Sequence, residues 1–337
     1  MDISRIKRFL VIRTDRMGDV ILSTPVLTEI KKKFNSPYIA MLLNPYTKDL
    51  VSGHPDVDKI ILDDLHGIHK GFAGLIRLVK ELKKYRFDAA LVLHPTPRLA
   101  LLCFLAGIPV RVGTGYRFYS ILFNKKIYQH RKTSGKHELD LNLEIVAAVG
   151  ARPGNVSFKF FIPEHADQKI NGLLRDKNIS GQFIVLHPGS GGSALDWPAD
   201  NFARLAAQIQ NNLKIPVVAT GSTSESSLID LIEKQAKNII RLEGQLNIKE
   251  LAALLKKSSL VVANSTGPLH LAVAVGAEVI GLYCTKTACG PERWGPYHRP
   301  DSVITPPADA DYDTDNNPMR LITVEQVVQL IQKKMSL

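Results

Sequence analysis

Phe9-Leu10-Val11-Ile12-Arg13-Thr14-Asp15-Arg16-Met17-Gly18-Asp19-Val20-Ile21-Leu22 decides the fold class of this chain. The apolar run 9–12 reads as a buried strand, Gly18 marks a tight turn, and apolar residues at helical period continue from Val20 to Leu27. Strand, glycine turn and helix together open an α/β domain. In such sheets ligands bind outside the carboxyl ends of the strands. Asp19 stands at that end, in the first turn of a helix predicted over 19–34. The helix dipole favours its ionised form there. Two readings follow. A helix-capping carboxylate is the commoner use of Asp at such a position. The other is a general base facing a cleft.

Outward from this stretch, β-rich apolar runs alternate with segments of helical period. In the first half, strands are predicted at 8–13, 38–43, 59–62, 89–93 and 110–112, and helices at 19–34, 72–85, 97–105 and 137–149. In the second half, strands are predicted at 183–187, 217–220, 239–241, 260–263 and 279–283. Helices are predicted there at 199–212, 225–237, 248–257, 267–275 and 324–334. This alternation means parallel sheets with right-handed crossovers. The turn-rich stretch from Ala151 to Glu164 has weak helical period and reads as a linker. It divides the chain into domains at 1–160 and 161–337, two similar α/β halves expected to face each other across a cleft.

Composition sets the outer bounds. A chain of 337 residues with 45% apolar and 22% charged residues is an ordinary globular protein of about two domains. No apolar run approaches the roughly 18 residues of a membrane span. The N-terminus leads straight into a strand, so no cleaved signal is expected. Cys103, Cys284 and Cys289 have neither metal-ligand spacing nor the pattern of a disulfide framework, as fits a reducing cytoplasm. The net charge of +11 favours anionic partners. Basic clusters lie at 31–33, 80–86 and 125–136, the last less helical in pattern and fit to receive an anionic acceptor. Aromatic content is only 7%, with no interleaving of aromatics and cations, so nucleic acid is not the expected partner.

Two further loops follow apolar strands. His187-Pro188-Gly189-Ser190-Gly191-Gly192-Ser193 lets backbone approach a ligand closely, although it is neither a Walker A loop nor a GxGxxG turn. Asn264-Ser265-Thr266-Gly267-Pro268-Leu269-His270 sets hydroxyls and a glycine at a helix start, where N–H groups can meet an anion such as a diphosphate. His270 is placed either to bond a phosphate or to pack against the sheet. His187 and His94 read as structural residues at strand ends. The acidic string Asp309, Asp311, Asp313, Asp315 reads as a solvated loop rather than a metal site.

Taken in order, these pieces resemble glycosyltransferase family 9, the lipopolysaccharide heptosyltransferase family. The resemblance runs from 13–19 with Thr24-Pro25 through Gly107 to Gly113, His187-Pro188-Gly189 and Trp197-Pro198. It continues through 264–272 to Arg293-Trp294-Gly295-Pro296. It implies the GT-B fold, two Rossmann-like domains facing across a cleft, with acceptor held mainly by the first and nucleotide-sugar donor by the second. It implies inverting, metal-independent transfer without a cofactor, typically of heptose from ADP-heptose to a lipopolysaccharide core. Asp19 matches the family's base, with Arg16 and Gly18 beside it on the acceptor side. Ser190, Gly191, Glu225, Thr266, Gly267 and His270 fall on the donor side. The partners implied are a nucleotide sugar and an anionic glycolipid at the cytoplasmic membrane face. Two positions depart from the family pattern. Leu195 stands where a diphosphate-binding lysine is common, and Ser265 where an Asp contacts the donor sugar. Arg293 or Lys286 could supply the missing charge. The departures leave two alternatives open, a non-catalytic sugar-nucleotide binder and a nucleotide-sugar epimerase on the same architecture.

Overall fold

The computed structural model describes residues 3–131, 133–151, 154–285, 289–310 and 317–337. The chain forms two compact units, Met1–Phe161 and Ile162–Leu337. The first carries strands β1 (Arg8–Ile12), β2 (Tyr38–Leu43), β3 (Lys59–Leu62), β4 (Ala89–Val92), β5 (Val110–Thr114) and β6 (Lys125–Ile127). The second carries β7 (Ile184–His187), β8 (Val217–Ala219), β9 (Ile240–Arg241), β10 (Leu260–Asn264), β11 (Val279–Leu282) and β12 (Val303–Ile304).

All pairings are parallel, with Val11 opposite Met41 and Leu91, and Val262 opposite Leu186 and Ile280. The spatial orders are β3-β2-β1-β4-β5-β6 and β12-β11-β10-β7-β8-β9. Counted from its own first strand, each unit therefore has the doubly wound order 3-2-1-4-5-6. The order reverses between β1 and β4 in one sheet and between β7 and β10 in the other, and at such switch points α/β sheets hold ligands.

A parallel sheet must be covered on both faces, which is why its strands are apolar throughout rather than alternating. Phe9 to Ile12 and Ala89 to Val92 are fully buried, as are Ile184 to Leu186 and Leu260 to Ala263. Each wholly buried Leu or Ile contributes roughly 1.5–3 kcal/mol. Helix starts are set locally. Thr96 Oγ1 accepts from Leu99 N, and the Asn247–Glu250 and Thr323–Gln326 capping boxes open Ile248–Lys257 and Val324–Met335.

Several expectations need correction. The predicted helix 19–34 is two helices, Met17–Ile21 and Thr24–Lys33. Thr24 Oγ1 bonds the Ile21 carbonyl, and Asn142 Nδ2 takes the Leu22 carbonyl, so the turn between them is held from outside the segment. A helix that was not predicted, Glu164–Asp176, follows the linker directly; its buried residues are only Ala166, Ile170 and Leu174. Lys125–Ile127 in the basic cluster is an edge strand, and Val303–Ile304 adds another. Cys284 and Cys289 are disulfide-bonded, contrary to the expectation of free thiols, while Cys103 is free and buried. No helix among the described residues is long and apolar enough to cross a membrane.

Candidate functional site

Arg13 follows β1 directly and is buried, with its guanidinium turned into a cluster of acids. It donates to Asp15 at 2.7 Å, to Glu138 and Asn142 at 3.1 Å, and to Asp19. Arg131 donates to Glu138 as well. Asn142 Nδ2 reaches the Leu22 carbonyl at 3.2 Å and Ser23 Oγ at 3.3 Å. These contacts bind the β1 loop to the helix Glu138–Ala147, more than a hundred residues on. His94, after β4 on the far side of the switch point, stands 3.8 Å from Asp15, and Tyr46 donates to the Asp15 carbonyl at 2.8 Å.

Asp19 does not cap its helix. Arg16 occupies the N-cap, without a side-chain cap bond, and the Asp19 carboxylate faces Arg13 instead. Nor is it simply favoured in its ionised form, as the dipole argument expected. Burial pushes the Asp19 carboxyl up to about 6, and Asp15 and Glu138 add repulsion. Arg13 pulls the other way but offsets only part of the rise. Only 16% of the side chain is exposed. Gly18 is buried in the same turn and Arg16 is exposed. Sequence reasoning missed Glu138 and Asn142, and read Arg131 as part of a basic cluster for an anionic acceptor, whereas its guanidinium is paired with Glu138; the one local signal was an acid opening a helix next to a basic run.

In the second unit, β7 and β10 deliver the two glycine-bearing loops to one place. Asn264 is fully buried; its Nδ2 donates to the Pro188 carbonyl at 2.6 Å and its Oδ1 accepts from Trp197 N at 2.9 Å. Ser193 Oγ lies 2.7 Å from the Ser190 carbonyl and 3.2 Å from that of Ser265. Gly191 and Gly192 take positive φ of 56° and 73°, which glycine adopts without strain. Glu225 Oε1 accepts from Gly191 N at 3.3 Å, and Oε2 accepts from Ser222 N and Oγ at 2.7 and 2.8 Å. A Cβ on Gly189 would lie 1.8 Å from Glu225 Oε1. Burial pushes the Glu225 carboxyl up, but the bonds from Ser222 and Gly191 outweigh it and hold it below its ordinary value.

Thr266 is the N-cap of Gly267–Ala274, and its side chain makes no cap bond. His270 is buried in that helix with its ring 6.4 Å from Trp294, over which Arg293 stacks at 4.6 Å. His187 is buried, its Nδ1 3.0 Å from Thr220 Oγ1, and burial lowers it to about 4, so it is neutral. The six donor-side residues named from the sequence thus share one end of the second sheet. Leu195 is exposed in the same loop. Lys132, Lys286, Asp311, Asp313 and Asp315 lie outside the described residues. Among the described residues no group of three acids, His or Cys is arranged to hold a metal ion.

Comparison with known proteins places this architecture. A Haemophilus influenzae protein named only as a candidate glycosyltransferase is 28% identical over 90% of both chains. The solved glycosyl transferase family 9 protein of Veillonella parvula superposes with a TM-score of 0.87 at 22% identity, covering 100% of this chain and 99% of its own. The ADP-heptose lipopolysaccharide heptosyltransferase II of Escherichia coli superposes at 0.77 with 19% identity, covering 98% of each. The fold is thus GT-B. The family profile of the heptosyltransferases matches residues 75–316. The chain belongs to glycosyltransferase family 9, the heptosyltransferases.

Proposed function

We propose that this protein transfers heptose from ADP-heptose, with inversion and without a metal, to an acceptor hydroxyl of a lipopolysaccharide core. Asp19 takes the proton of that hydroxyl as its oxygen attacks the anomeric carbon. The bond from that carbon to the diphosphate breaks on the opposite face. The observation that carries this is the Asp19 carboxyl, buried at a switch point, aimed at Arg13 and pushed up to about 6. A base titrating just below neutrality is mostly ionised at the working pH and still accepts a proton readily.

The leaving charge falls to neutral donors: N–H groups and hydroxyls of Ser190, Gly191, Thr266 and Gly267, with His270 at the helix start. Preorganised donors of this kind stabilise developing oxyanions strongly because they need no reorganisation. Glu225 is assigned to the donor ribose, and Arg16 and Gly18 to the acceptor. The unit Met1–Phe161 takes the acceptor and Ile162–Leu337 the nucleotide sugar. No cofactor and no nucleic acid enter the reading. The enzyme works in the cytoplasm, peripheral to the inner membrane face, where its positive charge meets anionic lipid.

Thermal shift against ADP-, GDP- and UDP-sugars tests the donor. A ligand at 100 times its Kd adds about 2.7 kcal/mol of stability, so a true donor is visible. Selective stabilisation by ADP-heptose, followed by transfer to a heptose-deficient core with inverted anomeric configuration in the product, is expected. Stabilisation by another sugar nucleotide would reassign the donor. Leu195 and Ser265 favour one second reading, a sugar-nucleotide binder without turnover; donor binding with no transfer to any acceptor would select it.

A further inference from the structure

The segment from Thr114 to His130 carries the most exposed large apolar side chains of the first unit. Phe118 and Ile121 are 86% and 81% exposed, on the 3-10 turn Phe118–Leu122. In the same segment Tyr128, 63% exposed, and Tyr116, 46% exposed, meet edge to face with ring centroids 5.2 Å apart. Buried neighbours fix the turn beneath: Tyr119 donates to the Pro95 carbonyl at 2.7 Å, and Phe123 is buried in the core. The apolar tips are therefore presented by a rigid base. Among them Arg117, Lys125 and Lys126 are exposed. Between Asp88 and Glu138 the sequence contains no Asp or Glu, while Lys and Arg recur from Arg98 to Lys136.

We infer that this face docks the protein onto an anionic lipid bilayer, Phe118 and Ile121 entering the acyl boundary while Arg117, Lys125 and Lys126 meet the headgroups. Apolar tips ringed by cations and tyrosines are the composition of an interfacial anchor. Exposed apolar side chains in such a group mark an interaction surface. A second copy of the chain is the poorer occupant. A twofold contact sets the same patch against itself, and here that brings cations against cations. The segment is also tied to the acid cluster around Arg13. Tyr116 stacks on His130 at 4.0 Å, and the next residue, Arg131, pairs with Glu138, which holds Arg13. The docking segment is thus joined through Arg131 and Glu138 to the loop that carries Asp19, which a membrane-bound acceptor must reach. The inference rests on the glycolipid reading for its purpose, but not for its measurement.

Co-sedimentation of the whole protein with vesicles, without donor or acceptor, tests it. Binding to phosphatidylethanolamine–phosphatidylglycerol vesicles is expected, falling with salt, with little binding to phosphatidylcholine alone. Phe118→Ser with Ile121→Ser, and separately Lys125→Glu with Lys126→Glu, should each lower the bound-to-free ratio at least tenfold at an unchanged melting temperature. Should a pair fail to fold, Phe118→Trp in the otherwise intact chain gives an emission blue shift on vesicle addition if the inference holds, and none if it does not. Equal binding to both vesicle types, or apolar variants that sediment like the parent, would overturn it. So would a dimer in solution that those variants split, with no vesicle binding. Vesicle binding without transfer would instead indict the glycosyltransferase mechanism and leave the docking surface standing.

Discussion

At the switch point of the first sheet one guanidinium holds three carboxylates, whereas at that of the second backbone amides, hydroxyls and a single side-chain amide do the holding. The two sites are alike in topology and opposite in material. In the first, Arg13, Asp15, Asp19 and Glu138 share a poorly solvated space, so burial and the neighbouring charges together set the protonation of Asp19. In the second, Glu225 is held chiefly by the donors of Ser222 and Gly191, and burial keeps His187 neutral. A site that moves a proton gains from tunable charge. A site that receives a departing diphosphate gains from fixed neutral donors, which do not compete with the ligand for a counterion.

The sharpest way to break this comparison is to remove the base. Asp19→Asn keeps a partner for Arg13 and should lower kcat by about 10²–10⁴-fold while donor-induced thermal stabilisation persists; near-normal transfer in a folded variant would end the assignment. Arg13→Met should be next in size. It strips the counterion from Asp15 and Asp19, leaves Glu138 only Arg131, and should cost roughly 3–5 kcal/mol in denaturant unfolding. It should also move the acidic limb of the pH–rate profile upward, because Arg13 is the group that lowers Asp19. A variant with unchanged stability would show the cluster to be better hydrated than its burial indicates.

Gly189→Ala probes the other material. Its Cβ would displace the Glu225 carboxylate that holds Gly191, at an expected cost of about 1–2 kcal/mol. Weakened donor binding with an unshifted pH profile should accompany it. A shifted profile would mean the two sites are not separable.

The smallest effect concerns slope rather than size. Asp19 in the folded chain titrates near 6, above its ordinary 3.8. The folded state therefore binds the extra proton, and the stability it gives is complete below 3.8 and lost as pH rises through about 6. His187 titrates near 4, below its ordinary 6.5. There the unfolded chain binds the proton, and stability is gained as pH rises from about 4 to 6.5. The two oppose each other over one window. Relative to the parent, Asp19→Asn should make stability rise more steeply between pH 4 and 6, and His187→Asn should make it fall. Transfer, which needs ionised Asp19, should weaken as pH drops through about 6.

Much of this was legible because it is local. The apolar runs of β1 and β4 and of β7 and β10 announce buried parallel strands. Glycine at 18, 189, 191 and 267 announces the turns after β1, β7 and β10. What failed to show was decided at a distance. Pro25 was a local sign of the break, since it sits in the first turn of the second helix, but the apolar period that resumes at Val26 hides it, and only the fold shows Asn142 holding the carbonyl at Leu22. Glu138 looks like any acid in a first helical turn until the fold brings Arg13 to it. Edge strands such as Lys125–Ile127 need no apolar run, since half their surroundings are solvent. The helix Glu164–Asp176 buries so few residues that its stripe is faint.

The amide of Asn264 grips both feet of the loop that runs from Pro188 to Trp197. An arch anchored at its two ends keeps its span whatever stands between them. Leu195 is exposed on the descending limb of that arch, separated from the anchored foot at Trp197 by Asp196 alone. Side chains can therefore be exchanged there, lysine for leucine or the reverse, at little cost to the fold. The identity of residue 195 is thereby uncoupled from what the protein needs to stand.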